Sequence, residues 1–193
     1  MNSRPILFSA PMVLALLAGT KTQTRRIVKG DIATVRSPYG APGDRLWVRE
    51  TWRLNWASGE GSEVEYRADG AKRVWPVNAR SSKFLDGGVK WKPSIFLQRQ
   101  FSRLTLEIAG VRVERLCAIS ESDAKAEGIV GWTKDGTLYK YGAISPGDGG
   151  STPWVDMPRT AVAAYESLWE SINGADSWAA NPWVWVVEFR VLR

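Results

Sequence analysis

Two long runs of strand-like alternation, separated by two helical segments, most constrain the fold. In residues 101–116, Leu104, Leu106 and Ile108 alternate with Thr105 and Glu107. Gly110 interrupts the pattern, and Val111 and Val113 resume it. Residues 182–192 place Trp183, Trp185, Val187 and Phe189 on one face and Val184, Val186, Glu188 and Arg190 on the other. A period of two means pleated strands with side chains alternating between faces. A glycine inside such a run marks a bulge or a hairpin corner. Between the two runs, residues 121–127 read as a short helix capped at Ser120 and stopped by Gly128. Residues 158–172 carry an amphipathic stripe of Val162, Tyr165, Leu168, Trp169 and Ile172.

The remaining elements fit this frame. Ser9, Pro11 and the apolar segment to Leu17 read as a helix that Gly19 ends. Residues 45–52 alternate like a strand: Leu46, Val48 and Glu50 share one face, and Arg45, Trp47, Arg49 and Thr51 the other. Residues 57–92 read as an insertion with one hairpin near 64–67 and 73–77. Residues 131–157 read as a second, loop-like insertion that contains Gly147-Asp-Gly-Gly150. No β–α–β–α order is present, so the expected class is α+β with a mostly antiparallel, curved sheet or small barrel and flanking helices. At 193 residues the chain is expected to form a single domain.

Composition narrows the chemistry. There is no histidine and a single cysteine, Cys117, so neither an internal disulfide nor a Cys/His zinc site can form. Of metals only Mg²⁺ held by carboxylates and water stays open, and no cofactor is expected. Cys117 ends an apolar strand pattern and reads as a buried, inert thiol. The net charge of +6 leans toward an anionic partner. Eleven tryptophans are more than one small core needs. Most are expected to fill the core or brace strand ends, and a few to offer a stacking surface for bases. The apolar run at 12–18 is too short for a membrane span, and a cytoplasmic protein is the default expectation. Phosphate-binding loops, dinucleotide-binding glycine patterns and the Gly-x-Ser-x-Gly elbow are all missing.

The densest functional signal is Gly19-Thr-Lys-Thr-Gln-Thr-Arg-Arg26. Lys21, Arg25 and Arg26 supply positive charge, and Thr20, Thr22 and Thr24 supply hydroxyls. Such a cluster suits a phosphate, a carbonyl oxygen or a base edge. It emerges from a helix C-terminus, where cations are favoured on electrostatic grounds alone.

This motif, with the segments at 4–12, 42–50, 119–128 and 181–189, resembles the ASCH domain family of the PUA-like superfamily, and in particular its longer bacteriophage and prophage members. The resemblance implies a small β-barrel with a cleft beside the first helix, and single-stranded RNA or a modified nucleoside as partner. Two hydrolytic activities go with it: release of acetate from N4-acetylcytidine, and RNA cleavage. It places Lys21 and Thr24 as catalytic residues of the Lys-Thr-x-Thr motif, with Glu127 as the later carboxylate. A lysine of lowered pKa would deprotonate the threonine. Thr22, Arg25 and Arg26 would line one wall of the cleft, and Arg45, Trp47 and Arg49 the other. Tyr39 and Glu50 would support ribonuclease chemistry. The chain departs from the phage pattern at Phe96, where a histidine is expected after Trp91-Lys-Pro-Ser-Ile95. The alternative is a non-catalytic phage accessory protein that acts through protein–protein contacts.

Overall fold

The structure is a computed structural model of the chain and describes residues 1–58, 61–76, 90–144 and 153–192. Its elements are β1 (Ser3–Leu7), α1 (Ala10–Leu17), β2 (Gln23–Ile27), β3 (Arg45–Arg49), β4 (Trp52–Ser58), β5 (Gly61–Tyr66), β6 (Lys72–Trp75), β7 (Thr105–Arg115), α2 (Glu121–Ala126), β8 (Ile129–Thr133), β9 (Tyr139–Ala143), α3 (Ala161–Asn173) and β10 (Trp183–Leu192). Five strands form the main sheet in the order β1-β3-β7-β10-β2. The others form a β4-β5-β6 sheet and a β8-β9 hairpin. The class is α+β with a mixed sheet: β1 and β3 run parallel and the other pairs antiparallel.

The two alternating runs become the centre of this sheet. β7 and β10 pair along their whole length, and the register shifts where Gly110 and Ile108 face Glu188 and Phe189, a bulge that accommodates Ala109. β10 is buried on both faces. Trp185, Val187 and Phe189 pack with Met12, Val13 and Leu16 of α1. Val184 and Val186 pack with Tyr165 and Trp169 of α3. Fully burying each such side chain stabilises the fold by about 1.5–3 kcal/mol, which explains why the strand is apolar on both sides. A third cluster, Trp52, Leu54, Val64, Tyr66, Leu97 and Phe101, anchors the small sheet.

Several expectations need correction. The barrel does not close: β1 and β2 are the two edges of the sheet, and they form no ladder with each other among the described residues. β1 is itself an unexpected strand, since Arg4 and Pro5 mask its alternation. The strand expected over 45–52 is two strands, with β3 ending at Arg49 and β4 beginning at Trp52. The 131–157 region is not loop-like throughout, because Ile129–Thr133 pairs with Tyr139–Ala143. Residues 147–150 lie outside the described residues. The expected hairpin near 64–77 is present as β5–β6, with residue 77 outside the described set. Ile172 leaves the buried stripe of α3 and is exposed, and Cys117 is exposed rather than buried. Among the described residues no helix is long and apolar enough to cross a membrane.

Candidate functional site

The chain is brought back on itself just after α1. Gly19 adopts φ +75°, and the amides of Thr20 and Lys21 both donate to the Ala15 carbonyl at 3.0 and 3.1 Å. The Thr22 amide then donates to Ala126 O at 2.9 Å, and Lys21 forms an isolated antiparallel bridge with Glu127. Glu127 caps the C-terminal end of α2, whose start is fixed by Ser120 accepting from the Asp123 amide at 3.1 Å. Gly128 follows with φ +99°, and a Cβ there would meet the Ala15 Cβ at 2.8 Å. Only glycine lets α1 and the end of α2 approach this closely.

This approach creates a buried charge cluster. Lys21 Nζ donates to Glu127 O at 2.7 Å and to Glu127 Oε2 at 2.8 Å. The other oxygen, Oε1, accepts from Arg25 Nη1 at 3.2 Å. The Arg25 guanidinium also reaches Gln23 Oε1 at 2.6 Å, Glu114 Oε1 at 2.6 Å and Asp123 Oδ2 at 3.3 Å. Lys21, Arg25 and Glu127 are each no more than 2% exposed. Arg112 closes the network at the surface by pairing with Glu114, Asp123 and Glu188. Burial lowers the Lys21 pKa, partly opposed by the Glu127 charge and hydrogen bond. Burial, and then the Glu127 charge, hold the Tyr165 hydroxyl well above its ordinary pKa. Burial would raise Asp123, but hydrogen bonds from Gln23 and Ser120 and the Arg25 and Arg112 charges bring it below the ordinary value.

Above this floor lies a cleft of about 440 Å³ at the open seam between β1 and β2. Lys21, Thr24 and Arg26 border it from the β2 side, and Phe8 and Met12 from the β1–α1 side. Tyr165, Leu168, Trp169 and Ile172 of α3 form the facing wall, with Tyr39 and Lys29 also on the lining. Arg26 spans the seam. Its Nη1 donates to Thr24 Oγ1 at 2.6 Å, its Nη2 donates to Leu7 O at 2.9 Å, and its guanidinium lies 5.2 Å from the Phe8 ring centroid. A side chain therefore ties together the two edges that strand pairing leaves apart.

Comparison with protein-family models, with curated proteins and with solved structures gave no match.

The cleft offers donors. Lys21 uses two of its three N–H groups on Glu127. Arg26 has no carboxylate partner among the described residues, and the Thr24 hydroxyl accepts from Arg26 with its own proton uncommitted. Trp169, on the α3 wall, carries a buried indole N–H with no partner. Such a set suits an acceptor-rich ligand, a carbonyl or a phosphate, with a flat apolar part against Phe8 and the α3 wall. Among the described residues no three Cys, Asp or Glu side chains could hold a metal ion. Glu114, Asp123 and Glu127 instead surround the Arg25 guanidinium.

Of the residues singled out from sequence, Lys21, Thr24, Arg25, Arg26, Tyr39 and Glu127 meet at the cleft. Arg25 is committed to carboxylates and serves as a support. Burial raises the Tyr39 pKa, with the Arg26 charge opposing. Thr22 is exposed and does not line the cleft, although Thr24, two residues on, is buried and does. Arg45, Trp47, Arg49 and Glu50 do not line the cleft. Glu50 is a buried partner of Arg103, which donates at 2.7 and 2.8 Å and also pairs with Asp69. Burial still raises the Glu50 pKa despite that arginine. The wall missed in the sequence is α3, whose amphipathic stripe holds the lining residues Tyr165, Leu168, Trp169 and Ile172 without pointing to a cleft.

Proposed function

We propose that the cleft receives one nucleoside unit of single-stranded RNA or a modified nucleoside. The observation that carries this reading is the Arg26 guanidinium, held at the seam beside Thr24 and Lys21 with no acid paired to it among the described residues. Phe8, Tyr165 and Trp169, each 4% exposed, border the cleft with their rings, and the likeness of residues 19–26 to the ASCH motif points the same way. The test is a fluorescence titration of short RNA and of nucleosides against the wild type and Arg26→Gln. At least a tenfold loss in the variant is expected, and equal affinity rejects the cleft.

A second reading, hydrolysis, is favoured by Thr24 and Lys21 sharing the lining while burial lowers the Lys21 pKa. Thr24 would attack an acyl carbonyl or orient the attacking water; a neutral Lys21 would take the proton and return it to the leaving amine, with Arg26 as donor to the developing oxyanion. Lys21 spends its hydrogen bonds on Glu127 and Thr24 takes its bond from Arg26, so binding is the better-supported function. Acetate release from N4-acetylcytidine, or fragmentation of a labelled RNA, should vanish in Thr24→Val with the fold intact. No turnover by the wild type on either substrate removes the hydrolase. A captured protein partner with no RNA affinity would instead favour the accessory role.

A further inference from the structure

β3 carries a second cationic surface that the cleft does not use. Leu46 and Val48 enter the core, so Arg45, Trp47 and Arg49 share the opposite face of the strand. Neither guanidinium has an ion pair among the described residues, and the Nε of each is buried without a hydrogen-bond partner. The Arg49 guanidinium lies 4.6 Å from the Trp47 ring centroid, and Trp47 is itself buried, which fixes the platform. The acid facing Arg45 across the sheet, Glu107, accepts instead from Arg190 at 2.6 Å. Buried guanidinium nitrogens without an acceptor are costly, and two on one strand face, with no acid paired to either among the described residues, favour an anion at this face.

This surface joins the cleft. Leu7 is in register with Arg49 in the parallel β1–β3 pair. Leu7 also lines the cleft, and its carbonyl holds Arg26. Arg26 shares the core face with Trp185, and Leu7 and Arg49 share the outer face, so the line from Arg26 to Arg49 turns over the β1 edge at Leu7, and Arg45 lies roughly 13 Å further along β3, four strand residues away. We infer that the outward face of β3 is a phosphate track for single-stranded RNA: with one nucleoside in the cleft, the flanking phosphodiesters cross Leu7 and reach Arg49 and then Arg45. The inference rests on the cleft as a nucleoside site and narrows it, because the ligand becomes a chain rather than a free nucleoside. A single strand fits and a duplex does not, since the cleft takes a base splayed out of any stack.

The experiment is anisotropy of a labelled 12-nucleotide single-stranded RNA across a salt series, with the wild type, R45Q/R49Q, R45K/R49K and Arg26→Gln. Circular dichroism melts establish that each variant folds. Each phosphate contact on a single strand contributes a slope of about 0.7 in log K against log salt. Losing two should flatten the slope by about 1.4 and weaken binding roughly 10- to 30-fold at 0.1 M salt. R45K/R49K should keep most of the slope, and binding of a free nucleoside should be unchanged in R45Q/R49Q. Wild-type affinity and slope in R45Q/R49Q, with Arg26→Gln still weakened, overturn the track and leave the cleft standing. Loss in R45Q/R49Q with none in Arg26→Gln puts RNA on β3 alone and overturns the joined path together with the cleft. Equal affinity for a duplex of the same length overturns the single-strand assignment.

Discussion

Glu127→Gln separates the roles of the two cations that share this carboxylate. In the variant Arg25 keeps Glu114 at 2.6 Å, Asp123 at 3.3 Å and Gln23 at 2.6 Å. Lys21 keeps only the Glu127 backbone carbonyl and a neutral amide oxygen. The uncompensated buried charge is therefore Lys21, and breaking a pair this buried costs about 3–5 kcal/mol. Lys21→Met should cost less, about 1–3 kcal/mol, because Glu127 retains Arg25 at 3.2 Å. The double variant should recover part of the loss, with a coupling of roughly 1–3 kcal/mol. The pH dependence has a definite sign. Burial lowers Lys21 in the folded state, so between that lowered value and the unfolded 10.5 the unfolded chain binds more protons, and the Lys21 contribution to stability rises with pH. Urea unfolding followed by tryptophan fluorescence at pH 7 and 9 measures both effects, with the upper pH about one unit below the ordinary tyrosine pKa. A Glu127→Gln cost under 1 kcal/mol, or one that grows as pH rises, refutes the buried-pair account.

Gly128→Ala should destabilise by roughly 2–4 kcal/mol in the same assay, because φ +99° and a 2.8 Å contact with Ala15 act together; a neutral result would mean that α1 and α2 do not meet there. Thr160→Ala removes the side chain that accepts from the Ala163 amide at 3.2 Å and should cost about 1 kcal/mol in a thermal melt. Glu121→Gln should weaken the same helix end, since its two oxygens accept from the Ala161 and Val162 amides; a melt unchanged in both variants contradicts the capping. Asp123, lowered in the folded state, contributes stability that is full above its unfolded value of 3.8 and lost as pH falls through its folded value. The deficit of Asp123→Asn against the wild type should accordingly shrink between pH 5 and pH 2.5, and a constant deficit argues against that linkage.

The central strands were legible because side chains alternate over about ten residues, a pattern with no helical explanation. β1 was not legible: five residues with Arg4 and Pro5 among them carry too little contrast, and it is an edge strand. The β8–β9 hairpin hid behind Gly131 and Gly142, which lie against the Tyr141 and Trp132 rings. Of the site, the bridge between Lys21 and Glu127 joins residues 106 apart, and only the family resemblance placed them together. Periodicity buried Tyr165 and Trp169 correctly but could not say that the residues beside them face a cleft. The alternation of Arg45, Trp47 and Arg49 was sound as well. What failed was the assignment of that face to the cleft wall, since a strand pattern fixes which residues travel together and not which neighbour they meet.

The most direct test of the donor-lined seam is an NMR titration of single-stranded RNA and of nucleosides into the labelled protein. The amides of Thr24 and Arg26 and the indole N–H of Trp169 should shift together and saturate together. Saturating binding with those three signals unmoved would contradict the site.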